Sequence, residues 1–141
     1  MLKNIPKILS PQLVKTLMEM GHGDEIVLAD ANFPACSVSQ NVVRADGIAG
    51  TDLLEAILKL FPLDSYTDYQ VFMMEVVAGD DYKPEIWDKY KNILSESKEK
   101  FEIEYLERFA FYDRAKTSYA VIATGEEALY ANIILKKGVV R

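Results

Sequence analysis

Strand-length apolar runs set between helical repeats constrain this chain more than any other feature of its sequence. The run Glu25 to Ala29 (Glu-Ile-Val-Leu-Ala) is too short for a stable helix and is bounded by turn-like residues at Gly23-Asp24 and Asp30. Continuous apolarity over so few residues indicates a strand buried on both faces, and such a strand needs helices above and below its sheet. Ser10-Pro11 followed by Leu13, Val14, Leu17 and Met18 predicts a capped helix that Gly21 ends. Thr51 is expected to cap a second helix, whose apolar face is Leu53, Leu54, Ile57, Leu58 and Phe61 and which Pro62 stops. Pro84 opens a third, running to about Ser95, and Phe109 to Ala115 forms a short helix or helical turn.

Between these lie further strands. Asn41 to Ala45, Tyr69 to Val77 and Phe101 to Leu106 carry β-branched or alternating residues. Tyr119 to Ala123 and Tyr130 to Lys136 predict two strands joined as a hairpin through Thr124-Gly125-Glu126-Glu127, and Ala31 to Ser39 is expected to be loop. The sum is an α/β fold, a mixed β-sheet flanked by helices. A chain of 141 residues suffices for one core, so residues 1–141 are expected to form a single domain.

Composition narrows the function. The net charge is −6 and the lysines and arginines are scattered, so no basic footprint for nucleic acid is expected. No apolar run is long enough for a signal peptide or membrane span, which makes the cytoplasm the expected compartment and leaves no role for a membrane. Cys36 is the only cysteine, so it cannot form an intrachain disulfide or help build a multi-thiolate zinc site, and it is expected to fill space.

A few residues could carry chemistry. His22, the only histidine, sits between glycines in Gly21-His22-Gly23-Asp24, where a sharp turn leaves its imidazole uncrowded and free to exchange protons. Asp30 stands at the carboxyl end of the buried strand, where open α/β sheets build ligand sites; it could equally close an Asx turn. Arg108 leads a group of aromatic rings at Phe109, Phe111 and Tyr112, a combination suited to sugar C–H faces and hydroxyls, although the rings could simply pack. Tyr130-Ala131-Asn132 opens the last strand with a phenol, a backbone amide and a carboxamide. Trp87 and Met73-Met74 are expected to be packing residues, and Gly79-Asp80-Asp81 a turn rather than a metal site.

The segments Gly21-His22-Gly23-Asp24-Glu25, Asp30-Ala31-Asn32-Phe33-Pro34, Arg44-Ala45-Asp46-Gly47, Arg108-Phe109-Ala110-Phe111-Tyr112 and Tyr130-Ala131-Asn132, with the ending Asn132 to Val139, resemble the ribose pyranase and fucose mutarotase family, in its L-fucose branch. The resemblance spans nearly the whole chain. It implies interconversion of the anomers of a free monosaccharide by acid–base ring opening, with no metal or organic cofactor. It also implies ring-like homo-oligomers, often decamers, with the pocket near subunit contacts. Residue by residue it gives His22 the proton transfer and assigns Asp30, Arg108, Tyr130 and Asn132, with the main chain at Ala131, to the sugar; Tyr130 or a water is expected to complement His22. Two departures stand out. Ala131 replaces a customary glycine, which requires a negative φ there or strain, and Asn32 replaces a histidine found in some relatives. The alternatives are a D-ribose pyranase, and a noncatalytic monosaccharide-binding protein.

Overall fold

The computed structural model describes all of residues 1–141. In chain order the elements are α1 (Pro11–Glu19), β1 (Glu25–Ala29), α2 (Ala35–Val38), β2 (Val42–Ala45), α3 (Gly50–Leu58), β3 (Val71–Met74), α4 (Glu85–Glu96), β4 (Ile103–Leu106), α5 (Arg108–Thr117), β5 (Ala120–Thr124) and β6 (Ile133–Lys136). The strands form one mixed sheet in the order β2-β5-β1-β6-β3-β4. Alternate residues feed opposite faces, as the period of a strand requires. Ile26, Leu28, Val71, Met73, Ile122, Ile133 and Leu135 meet α1, α3 and α4 in the larger core, while Val27, Phe72, Val121 and Ile134 meet Phe111 and Ala115 of α5 and Ala35 of α2. No helix is long and apolar enough to cross a membrane.

The expected hairpin does not form. β5 pairs with β1 in parallel and β6 pairs with β1 antiparallel, so β1 lies between the two strands that were to have been neighbours. The connection after Thr124 passes over the end of β1, where the Ala31 N–H donates to the Glu126 carbonyl at 2.8 Å. With a strand on each side, the backbone groups along both edges of β1 are paired, as a strand buried at four of its five positions requires.

Smaller differences have local causes. Ser10 caps α1 as expected, its hydroxyl accepting from the Leu13 N–H at 3.1 Å, but Thr51 caps nothing. α3 starts two residues earlier, with Ala49 at the cap position and Gly50 first, whose N–H is taken by the Glu126 carboxylate at 2.9 Å. The segment expected to be loop holds the one-turn helix α2, and Cys36 on it is exposed rather than filling space.

β6 is the only strand that runs against the others, so the carboxyl ends of β1 to β5 and the start of β6 share one edge of the sheet. Asp30, Arg108 and Tyr130 to Asn132 are therefore neighbours through topology alone. His22 and the segment after Lys136 lie at the opposite edge.

Candidate functional site

A cleft of about 270 Å³ opens at that shared edge, lined by Asp30, Arg108, Tyr130 and Asn132 and floored by Phe33 and Met74. Asp30 and Asn132 are buried and locked together. The Asp30 N–H donates to Asn132 Oδ1 at 2.8 Å, and Asn132 Nδ2 donates to Asp30 Oδ2 at 3.0 Å. Asp30 Oδ1 accepts the Asn32 N–H at 3.0 Å, which is the Asx turn that the sequence allowed, built into the cleft rather than in place of it. Burial pushes the Asp30 carboxyl above its ordinary value, against the opposing pull of these hydrogen bonds. The carboxylate is held by backbone N–H groups as well as by Asn132, much of whose carboxamide is spent on Asp30.

Arg108 is the first residue of α5, and its guanidinium lies over the rings of Phe109 and Tyr112 at 5.4 and 5.5 Å. None of the five ion pairs in the chain uses it. A cation at the start of a helix sits against the helix dipole, so this placement serves the cleft rather than α5. Glu107 offsets it as the N-cap, accepting from the N–H groups of Phe109 and Ala110.

At Tyr130-Ala131 the backbone differs from expectation. Ala131 is not left-handed; Tyr130 is, with φ 58°. That conformation is uncommon for a residue with a Cβ and costs on the order of 1 kcal/mol. It is held from beneath by α4, where Trp87 Nε1 donates to the Tyr130 carbonyl and the buried Tyr90 hydroxyl donates to the Ala131 carbonyl, both at 2.9 Å. Trp87 is thus more than packing. Burial, with the nearby carboxylates of Glu126 and Asp30, pushes the Tyr90 phenol far up and keeps it a donor.

His22 is not in this cleft. It lies beyond the other end of β1, and that five-residue strand alone spans about 13 Å at its usual rise. There Nε2 lies 2.9 Å from Oδ1 of Asp64, which is almost wholly buried while the imidazole stays half-exposed and tilted against Tyr66. Asp64 also accepts from the Tyr66 N–H at 3.1 Å and the Thr67 hydroxyl at 3.0 Å. Burial would raise its carboxyl, but these hydrogen bonds outweigh it and hold the group below its ordinary value. An ionised carboxylate only accepts, so Nε2 presents a proton to Asp64, and Nδ1 makes no hydrogen bond within the chain. Asp64 is the orienting group that sequence reasoning missed, being far from His22 in the chain and marked by no motif.

The sequence model of the RbsD / FucU transport protein family matches residues 3–140. A Haemophilus influenzae protein named L-fucose mutarotase is 56% identical over 141 residues, covering 99% of this chain and 97% of the relative. The crystal structure of the fucose mutarotase in complex with L-fucose from Streptococcus pneumoniae superposes with a TM-score of 0.95 at 55% identity, over 99% of this chain and 100% of that one. Bacillus subtilis RbsD complexed with D-ribose is less similar, with a TM-score of 0.76 at 30% identity, over 94% of this chain and 95% of that one.

Proposed function

The chain belongs to the RbsD / FucU family, and on that premise we propose that it is an L-fucose mutarotase, interconverting the α and β anomers of the free sugar. The cleft carries the reading. It sets a buried carboxylate, an uncommitted guanidinium and a phenol around an apolar floor, which suits a sugar that has hydroxyls on one part and a methyl group on another. D-ribose has no methyl to cover Phe33 and Met74, and the ribose-bound relative is the more distant one. Residues 1–141 act as one domain, and the cytoplasm is the compartment we assign.

Anomer exchange removes the proton of the anomeric hydroxyl, protonates the ring oxygen, opens the ring to the aldehyde, rotates the carbonyl and closes on its other face. Acid–base groups placed within hydrogen-bond reach contribute about 10² to 10⁴ in rate to such steps. Asp30 and Arg108 hold hydroxyls, and the main chain at Ala131 lies beside them. His22 Nδ1 takes and returns the proton, with Asp64 fixing the tautomer.

Because β1 separates His22 from the cleft of its own chain, the imidazole that serves a given cleft comes from a second copy. A ring-like homo-oligomer, decameric in our reading, brings the histidine edge of one subunit to the cleft edge of the next. Exchange NMR on L-fucose tests both claims. Wild type accelerates the exchange, and the single variants His22→Ala and Arg108→Ala are slow. Mixed and reassembled from denaturant, the two variants recover activity, since some clefts then receive an intact His22 beside an intact Arg108. Recovery no greater than the sum of the parts refutes the shared site. A wild type that speeds D-ribose ring exchange but not L-fucose anomer exchange refutes the substrate.

A further inference from the structure

The segment that follows β3 folds back over the cleft. Its turn at Gly79, with φ +90°, carries Asp80 to the Tyr130 hydroxyl, which donates to Asp80 Oδ2 at 2.7 Å. Asp80 Oδ1 accepts the Tyr82 N–H at 2.9 Å, which fixes the carboxylate, and the Tyr82 ring stacks on that of Tyr130 at 6.0 Å and 26°. The Val77 N–H approaches the same hydroxyl at 3.4 Å. Tyr130 is therefore held at three points: its carbonyl by Trp87, its ring by Tyr82 and its hydroxyl by Asp80.

A phenol has one proton and two lone pairs. Here the proton goes to Asp80 and one lone pair faces Val77, so a single acceptor position is left for a ligand. We infer that Asp80 is a positioning residue of the sugar site, holding Tyr130 so that it meets the sugar only as a hydrogen-bond acceptor and thereby selects a hydroxyl that donates to it. The inference rests on the mutarotase reading and sharpens it. Tyr130 then does not supply the proton that complements His22, and that proton comes from water. Tyr130 holds the Asp80 carboxyl below its ordinary range, and the carboxylate in turn pushes the phenol up.

The test is a double-mutant cycle read as kcat/KM for L-fucose anomer exchange, with Asp80→Ala, Asp80→Asn, Tyr130→Phe and the double variant Asp80→Ala/Tyr130→Phe. Asp80 is exposed, so thermal stability of its variants stays near wild type. Asp80→Ala is expected to lose about tenfold, the range of one charge-assisted hydrogen bond. Asp80→Asn keeps an acceptor oxygen and recovers most of that loss, and the double variant is no slower than Tyr130→Phe alone. Losses that multiply, or a fully active Asp80→Ala beside a crippled Tyr130→Phe, overturn the inference. In parallel, the ¹³Cζ resonance of Tyr130 is recorded without sugar. It shifts in Asp80→Ala if the hydroxyl donates to Asp80, and an unmoved signal overturns the inference. If wild type does not exchange L-fucose at all, the substrate reading fails by itself and the Cζ resonance alone decides the role of Asp80.

Discussion

Gly50 and Tyr90 offer a quantitative test of how α4 supports the cleft. A Cβ placed on Gly50 would lie 2.2 Å from the Tyr90 hydroxyl and 3.3 Å from its Cζ, closer than packed atoms come. Gly50→Ala must therefore push Tyr90 aside and break its hydrogen bond to the Ala131 carbonyl, which lies in the interior. Leaving that acceptor unpaired costs about 1–3 kcal/mol, and overpacking adds about 1–3 kcal/mol. Tyr90→Phe removes the hydroxyl and incurs only the first cost. In that background the alanine no longer meets the hydroxyl; only Cζ at 3.3 Å and the Glu126 Cβ at 3.4 Å must give by a few tenths of an ångström, and its better helix preference regains roughly 0.5–1 kcal/mol.

The two substitutions should therefore couple by about 4 kcal/mol, with the double variant as stable as Tyr90→Phe or slightly more so. At about 2.1 cal/mol/K per residue, 141 residues give roughly 3 °C of melting temperature per kcal/mol. Gly50→Ala alone should melt about 6–18 °C below wild type. Thermal denaturation of the four proteins at one fixed concentration measures this. Costs that add to within about 0.5 kcal/mol would refute the geometry.

Two further outcomes follow from the opposite edge of the sheet. Asp64 titrates below its unfolded value, so it stabilises the fold above the ordinary carboxylate range and loses that contribution as pH falls through its lower native pKa. Acid denaturation of His22→Ala, which lacks one of the hydrogen bonds responsible, should show a smaller loss over that interval than wild type, and an unchanged profile would count against the pair. A Cβ on Gly138 would meet the Leu63 carbonyl oxygen at 2.3 Å and the Asp64 Cα at 2.9 Å, with backbone on both sides, so Gly138→Ala should destabilise by about 3 kcal/mol or more. Gly21→Ala, beside His22 but with only the Asp24 carboxylate at 3.7 Å, should lie within about 0.5 kcal/mol of wild type in urea denaturation.

What could be read in the sequence was what local chemistry decides. Ser10-Pro11 starts α1 because a hydroxyl and a fixed φ act within one turn, and β1 is visible because four successive buried residues leave it no solvent face. What escaped was decided by distant partners. α3 is started by Glu126, 76 residues away in the chain, so Thr51 looked like a cap and was not. β5 and β6 look like a hairpin to any rule of adjacency, and the pairing of β1 along both its edges separates them. In the cleft, Asp30 and Arg108 stood out because each has a chemical signature near an element boundary. Asp64 and Asp80 did not, since a single aspartate in a turn is ordinary until the side chain that it serves is brought to it.

Three residues of the cleft are placed where the fold gains nothing from them. Asp30 is buried enough that its carboxyl is pushed up, which means its charged form costs stability once pH rises through its native pKa. Tyr130 occupies a left-handed backbone position that glycine would fill without strain. Arg108 sits at the positive end of α5 with no carboxylate paired to it. Each alone is a minor cost of the kind that selection readily removes. Together they surround one space, where Asn132 Nδ2 donates to Asp30, Trp87 Nε1 donates to the Tyr130 carbonyl, the Tyr90 hydroxyl donates to the adjoining Ala131 carbonyl, and Asp80 accepts from the Tyr130 hydroxyl. The other edge of the sheet differs, because His22 and Asp64 satisfy each other and Nδ1 remains open toward solvent. On the reading we propose, that imidazole and the cleft are complementary halves that meet only when a second copy of the chain brings one edge to the other.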